Sequence, residues 1–386
     1  MNGPDNLLDA PLPTAPLPEV VNHTPLPSQY FQMIDVNDDV FHVVVMRSTY
    51  DMYRADAQGH LLLSEQQTEL VDADQYYGEV NLTSVVQESD YAPFKPRCDI
   101  LFAHAEACAP QGKPAERIAV GVRIGDWEKS LQATGPRRLE AGALGWRVTD
   151  PQPVDRVPIR YELAWGGTCQ WPLQVAEDRE PEFLDRDENN PIGCGFLSKR
   201  WVRKVDASRF VAPQIEVLGE AFEARDADAA TYPVVGLGPI GRWWLPRRLK
   251  AGTYDAAWKQ TRWPALPTDF DFGYWNAAPE DQQIDYPAGG EQVVMIGLHP
   301  GGEMRFRLPR PEARLLVHLS AGVPMFKPLN IDTLQFDLKT MQLVVVQRAL
   351  VAAKAGVDKI EIGTWDVEGA RARNAAILAQ RNAARV

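Results

Sequence analysis

The chain is expected to be mainly β, with antiparallel sheets in a sandwich or barrel-like arrangement, a few short helices and one C-terminal helix. Three observations carry this expectation. The 386 residues include 31 Pro and 28 Gly beside 11 Trp, a mixture suited to many short strands joined by tight turns. β-branched and aromatic runs recur along the whole chain between clusters of Gly, Pro and Asp. None of the intervals between these runs carries an apolar 3.6-residue period long enough for a crossover helix, which argues against doubly wound parallel folds.

In chain order, residues 1–28 hold Pro4, Pro11, Pro13, Pro16, Pro18, Pro25 and Pro27, which withhold backbone donors and favour an extended, polyproline-like arm. Residues 29–350 form the β-rich part, as one domain or two subdomains. It starts with Asp39 to Met46, DVFHVVVM, and a second strand-like piece from Thr49 to Arg54, read together as a hairpin or meander. Further strands are expected at Cys98 to Ala103, Arg117 to Ile124, Trp127 to Ala133, Ile159 to Ala164, Gln292 to Leu298, Met304 to Leu308 and Arg314 to Leu319. The clearest hairpin is Leu334 to Gln347, where Lys339 and Thr340 turn the chain into an apolar return strand. Glu177 to Asn190 and Glu220 to Ala230 are charged and lack strand patterning, so they read as loops or short helices. Residues 351–386 read as a helical tail, with a helix from Asp366 to Arg385 capped by Asp366.

Composition removes several classes of function. With 45% hydrophobic and 24% charged residues the chain has the make-up of a globular protein rather than a disordered one. A formal net charge of −12 opposes generic binding to nucleic acid, which needs clustered Lys and Arg. Met1 to Ala10 has neither a basic n-region nor an apolar core, and no run approaches the ~20 apolar residues of a bilayer span, so a cytoplasmic protein without membrane insertion is expected. Cys98, Cys108, Cys169 and Cys194 are scattered, with no C-x-x-C pair; they read as reduced, mostly buried thiols, and neither metal nor cofactor is expected.

Four motifs are worth weighing. Gly236-Leu237-Gly238-Pro239-Ile240-Gly241 matches G-x-G-x-x-G, but Pro239 and the following RWWLP open no long helix to receive a pyrophosphate, so a glycine-dependent loop is expected. Asp185 to Asn189 starts like a calcium loop but places Asn190 and Phe196 where Gly and Glu are required, so a turn closed by Asp and Asn side chains is expected instead. Asp269 and Asp271, with Asp281 and Glu291 downstream, could pair as carboxylates; they carry the alternative reading, an enzyme acting on a polar or carbohydrate substrate through Asp269, Asp271 and Glu291. No G-x-S-x-G elbow or H-E-x-x-H accompanies them. RWWLPRRLK, from Arg242 to Lys250, and Trp258 and Arg262-Trp263 interleave guanidinium groups with indoles on an acidic chain. Trp243, Trp244, Arg247, Arg248 and Trp258 are therefore the expected partner-binding residues, with core packing and ion pairing as the competing explanation.

The blocks Tyr161 to Gly167 (YELAWGG), Glu188 to Phe196 (ENNPIGCGF), Pro246-Arg247 and Ala251 to Trp258 (AGTYDAAW) resemble, in that order, blocks of domain-of-unknown-function family 2169. Asp269 to Asp271, Asn276 to Pro279 (NAAP), Asp281-Gln282, Gly290-Glu291, Leu308-Pro309 and Asp332-Thr333 extend the resemblance over roughly residues 20 to 350. Members are typically encoded beside type VI secretion genes. The resemblance therefore implies a non-enzymatic adaptor or chaperone that binds a secreted toxin effector, or its spike-tip carrier of the PAAR or VgrG type, and promotes its loading and delivery. It supplies no catalytic residue. The sequence departs from the family pattern at Cys194, where a basic or polar residue is expected, and at Gln347, where Trp often precedes the equivalent of Arg348.

Overall fold

The computed structural model describes residues 14–142, 145–171, 183–197, 211–224 and 232–365. Two long strands, Val40–Ala55 and Gln342–Ala352, are paired antiparallel over 11 residues and run through the middle of a seven-stranded sheet. Along that sheet Gln283–Ile284, Cys98–Ala103, Asn330–Asp337, Gln342–Ala352, Val40–Ala55 and Ser28–Ile34 are neighbours, and Leu61–Leu63 shares the Val40–Ala55 edge. Most pairs are antiparallel, but Cys98–Ala103 and Asn330–Asp337 run parallel, and the chain between them builds the second sheet. None of the described sheets closes into a barrel.

Side chains two apart on a strand share a face, and one face of the two long strands serves two cores. Near one end Tyr50, Met52, Leu343 and Val345 pack against a five-stranded sheet, whose Ile118, Val120, Val122, Ile124, Val293 and Met295 point back at them. Near the other end Val44, Met46, Ala349 and Val351 pack against a four-stranded sheet through Leu315, Val317, Ile360 and Ile362. Each fully buried side chain of this size contributes about 1.5–3 kcal/mol. A strand of 16 residues is required because it must reach both cores. In Arg117–Ile124 every second residue is buried, so a one-residue register slip would turn that face to water.

Most expected strands are found at or within two residues of their predicted bounds, and the 334–347 hairpin turns at 338–341 between Asp337 and Gln342. Three expectations are corrected. Thr49 to Arg54 continues the strand begun at Val40, and the opening hairpin is formed instead with Ser28–Ile34. Ile159 to Ala164 is not a strand: Tyr161–Leu163 makes a 3-10 turn that drives the Tyr161 ring into the main core. The β region does not stop near residue 350. Val357–Thr364 is the second strand of the four-stranded sheet, where Val357, before a register shift, and Ile360 and Ile362 complete its core, and Glu19–Asn22 of the proline-rich arm lies parallel to it. The helix expected from Asp366 to Arg385 lies outside the described residues. Only two α-helices occur among the described residues, Leu245–Arg248 and Ala256–Thr261, and no described helix is long and apolar enough to cross a membrane.

Candidate protein interface

Two of the sequence blocks interlock. Trp165-Gly166 lies parallel to Cys194-Gly195, and Asn190 holds the junction, its amide donating to the carbonyls of Tyr161 and Trp165 at 2.9 Å each. The Asn190 carbonyl accepts from Gly167 N at 2.8 Å. Gly167, at φ +114°, leaves no room for a side chain, since a Cβ there would lie 2.5 Å from the Gly193 carbonyl. Asp187 accepts from Asn190 N at 2.7 Å, so the calcium-like run is a turn closed by its own side chains, as expected. The GLGPIG segment is likewise a helix-free loop in which Gly236 lies against the Tyr161 ring and Gly241 against the Trp244 indole.

Other blocks meet in a network of buried charges behind the seven-stranded sheet. Asp99 accepts from Lys95 at 2.9 Å, from the Asn276 amide at 2.9 Å and from the backbone N–H groups of Ala277 and Ala278. Lys95 also donates to Thr333, and Arg348 lies 3.4 Å from Asp332 while donating to the carbonyls of Asp90 and Ala92. Burial pushes the Asp332 carboxyl up, against the pull of Arg348 and Lys95. A buried charge is tolerated only when it is paired and hydrogen-bonded. Lys95 and Asp99 thus find their partners within the chain, while Asn276 Oδ1, Asp332 Oδ2 and Arg348 Nε are buried without a hydrogen bond.

The basic-aromatic segment divides between inside and outside. Trp244 is 3% exposed and stacks edge-on against Tyr161. Arg247 is 2% exposed, pairs with both oxygens of Glu88 and donates to the carbonyls of Tyr274 and Ile240. Burial would raise the Glu88 carboxyl, but the charge and hydrogen bonds of Arg247, with Arg242 and Lys95 beyond, hold it below its ordinary value. Trp243 is half-buried on the main core, with the Arg186 guanidinium 5.4 Å from the centre of its ring. Of the five residues expected to bind a partner, Trp244 and Arg247 instead follow the competing explanation, an aromatic ring and an ion pair that complete the interior.

What faces outward is the second half of the segment. Asp255 caps Ala256–Thr261 by accepting from Trp258 N at 2.8 Å, and Asp269 fixes the approach by accepting from Thr253 N and Oγ1 at 3.0 and 2.7 Å. This short helix aligns three rings. Tyr254 and Trp258 have centroids 4.6 Å apart, and Trp258 and Trp263 5.3 Å apart, both edge-to-face. Tyr254 is 53% and Trp263 46% exposed, Trp258 is half-buried between them with its indole N–H on the Ala265 carbonyl, and Leu249 stands 75% exposed nearby in sequence. Arg262 ties the loop to the opening hairpin through Asp38 at 2.9 Å and the Val36 carbonyl. Arg248 is a surface cation, 2.7 Å from Glu188, and Lys259 is exposed on the helix. Trp263 and Leu249 fall inside the basic-aromatic motif without being among its five named binding residues, and Tyr254 falls outside it; the signal that points to the two rings is aromatic spacing around an Asp-capped turn, Tyr254-Asp255…Trp258…Trp263.

The carboxylates of the enzymatic alternative do not converge through any shared contact. Asp269 serves Thr253, Asp271 caps Phe272–Trp275 through Gly273 N at 2.7 Å, Asp281 pairs with Lys129 at 2.7 Å, and Glu291 accepts from Ala288 N at 3.0 Å. Among the described residues no three His, Cys, Asp or Glu side chains are arranged to hold a metal ion. Burial pushes the Cys98 thiol well above its usual range and the Cys194 thiol up to about 12, the latter opposed by Arg137. The family model DUF2169, described as an uncharacterized protein conserved in bacteria, matches residues 38–348. No curated protein and no solved structure matches the chain.

Proposed function

The chain belongs to the DUF2169 family of proteins conserved in bacteria, and from that membership we propose that it is a non-enzymatic adaptor or chaperone. It binds a type VI secretion effector, or the PAAR- or VgrG-type spike-tip protein that carries it, in the cytoplasm, and promotes loading and delivery. The observation that carries this reading is the ring cluster of Tyr254, Trp258 and Trp263, in which Tyr254 and Trp263 are exposed and Trp258 is half-buried between them, with Arg248 and Lys259 on the same segment, on a protein of net charge −12. Exposed aromatic and guanidinium groups on a rigid frame are the usual anchors of protein interfaces. The interior supports the same reading, because its buried charges and close-packed glycines serve the scaffold and leave the surface to make contacts.

The test is co-purification of the tagged full-length chain with the product of the adjacent effector or spike gene, for the parent and for the double variant Arg248→Glu, Trp263→Ala. Both residues lie at the surface, each 46% exposed, so the variant should nearly keep its melting temperature and lose its partner. Undiminished capture by a stable double variant would move the interface away from this cluster. Failure of the parent to capture either neighbour would remove the adaptor reading.

A further inference from the structure

The four-stranded sheet is finished on one side by a strand that is weakly held. Glu19–Asn22 pairs parallel with Val357–Thr364, in the register Glu19 with Lys359, Val20 with Ile360, Val21 with Glu361 and Asn22 with Ile362. None of the four residues is buried. Val20 touches the core at its margin, Lys359 lies 3.6 Å from Glu19, and at the other end His23 donates its backbone N–H to the Ile362 carbonyl at 2.8 Å, sets its ring edge-on to Trp365 and hydrogen-bonds Glu361 at 2.7 Å, whose other oxygen meets His318 at 2.7 Å. Asn22 bonds within its own turn, to the Leu26 carbonyl and the Ser28 hydroxyl, and so adds no anchor to the sheet. Val357–Thr364, by contrast, is secured on its other side by Ala313–Leu319 over seven residue pairs and keeps Ile360 and Ile362 buried. The groove would persist if the arm left it. At the opposite edge of the sheet, Met325–Pro328 is bounded by Pro324 and Pro328, which cannot donate to an added strand.

We propose that the edge of Val357–Thr364 is a strand-accepting site, that Glu19–Asn22 is its exchangeable internal occupant, and that an extended segment of a partner protein can take its place. The groove specifies the chemistry of that segment. Lys359 calls for an acidic residue at the first position, the apolar margin at Ile360 for an aliphatic residue next, and Glu361 for a basic or imidazole side chain near the end, as in the arm's own Glu19, Val20 and His23. Backbone pairing supplies affinity and these side chains supply selectivity, as in other cases of strand addition. The site is separate from the ring cluster, so its failure would leave the proposed adaptor role standing, and the co-purification above tests that role independently.

The probe is a fluorescein-labelled synthetic peptide of Ala15–Thr24, titrated into the full-length protein by fluorescence anisotropy. His23→Ala and Glu19→Lys each remove one tie of the internal arm and leave the groove intact. Both should therefore bind the parent-sequence peptide about two- to fivefold more tightly than the parent protein does. Glu19 is largely exposed, so Glu19→Lys keeps the test valid if His23→Ala fails to fold. A peptide carrying Val20→Asp should not bind. The proposal is overturned if neither the parent nor either variant binds the peptide, or if the Val20–Asn22 amides exchange hydrogen as slowly as those of Leu315–Val317. Equal binding of the Val20→Asp peptide would overturn it too. Concentration-dependent dimers of the parent would assign the groove to a second copy of the chain and overturn the choice of a foreign segment.

Discussion

Replacing Arg247 by Met keeps an unbranched, shorter side chain and removes the guanidinium and its charge, leaving Glu88 buried without its main partner. In the parent, Arg247 meets both Glu88 oxygens and two carbonyls, and both side chains are nearly inaccessible to water. Removing one member of such a pair typically destabilises by about 3–5 kcal/mol. At roughly 2 °C per kcal/mol for a chain of this size, the melting temperature should fall by roughly 6–10 °C. The pH dependence adds a second signature. In the parent, Glu88 is held below its ordinary value, so its contribution is fully present above the unfolded carboxylate range and is lost as the pH falls through the folded value. In the variant, burial acts with less opposition and raises the Glu88 carboxyl, so protonation relieves the unpaired charge. The deficit should therefore shrink by about 1 kcal/mol or more between pH 8 and pH 5, read from urea unfolding at both values. A variant that melts within about 2 °C of the parent, or one with the same deficit at both pH values, would refute the reasoning.

Gly167→Val should destabilise by roughly 3 kcal/mol or more, because the residue sits at φ +114° with the Gly193 carbonyl in the space of its Cβ; thermal melting checks it, and an unchanged melting temperature with lost partner binding would make the glycine a binding residue instead. Arg248→Glu with Trp263→Ala should leave melting within about 2 °C and weaken partner binding by about 2 kcal/mol or more, measured by calorimetry. Buried Cys98 and partly buried Cys194 should resist iodoacetamide in the native protein at pH 8, since desolvation suppresses both thiolates, and become reactive in urea; peptide mapping that finds Cys194 rapidly alkylated in the folded state would contradict its raised thiol.

The strands were legible wherever one face is buried and the other wet. Arg117–Ile124 shows the period of two in its letters, and the Asp337–Gln342 turn announces itself between two apolar runs. Ile159 to Ala164 misled because its apolar letters belong to a 3-10 turn whose Tyr161 ring is claimed by the core and whose carbonyl is claimed by Asn190, contacts set by residues far along the chain. The Trp and Arg residues of the 242–263 segment could be recognised as a cluster but not sorted. Trp243 and Trp244 are adjacent, as are Arg247 and Arg248, yet in each pair the structure buries one more deeply, because only one of the two points at Tyr161 or Glu88. Which neighbour does so depends on Glu88, more than 150 residues earlier, and no local pattern encodes that.

The sequence by itself determined the mainly β class, the approximate place of most strands, the absence of a dinucleotide-type loop in GLGPIG, and the family. These follow from local chemistry: alternation, turn residues, and glycines and prolines that restrict the backbone wherever they stand. Only the tertiary structure decided that one strand serves two cores, that Arg247 is an interior cation while Arg248 is a surface one, and that the arm at Glu19–Asn22 completes a sheet whose partner strand lies at residues 357–364. Each of these depends on pairing between distant segments. Burial changes the energy of the same side chain by several kcal/mol according to what meets it, and a sequence read locally contains only one of the two partners.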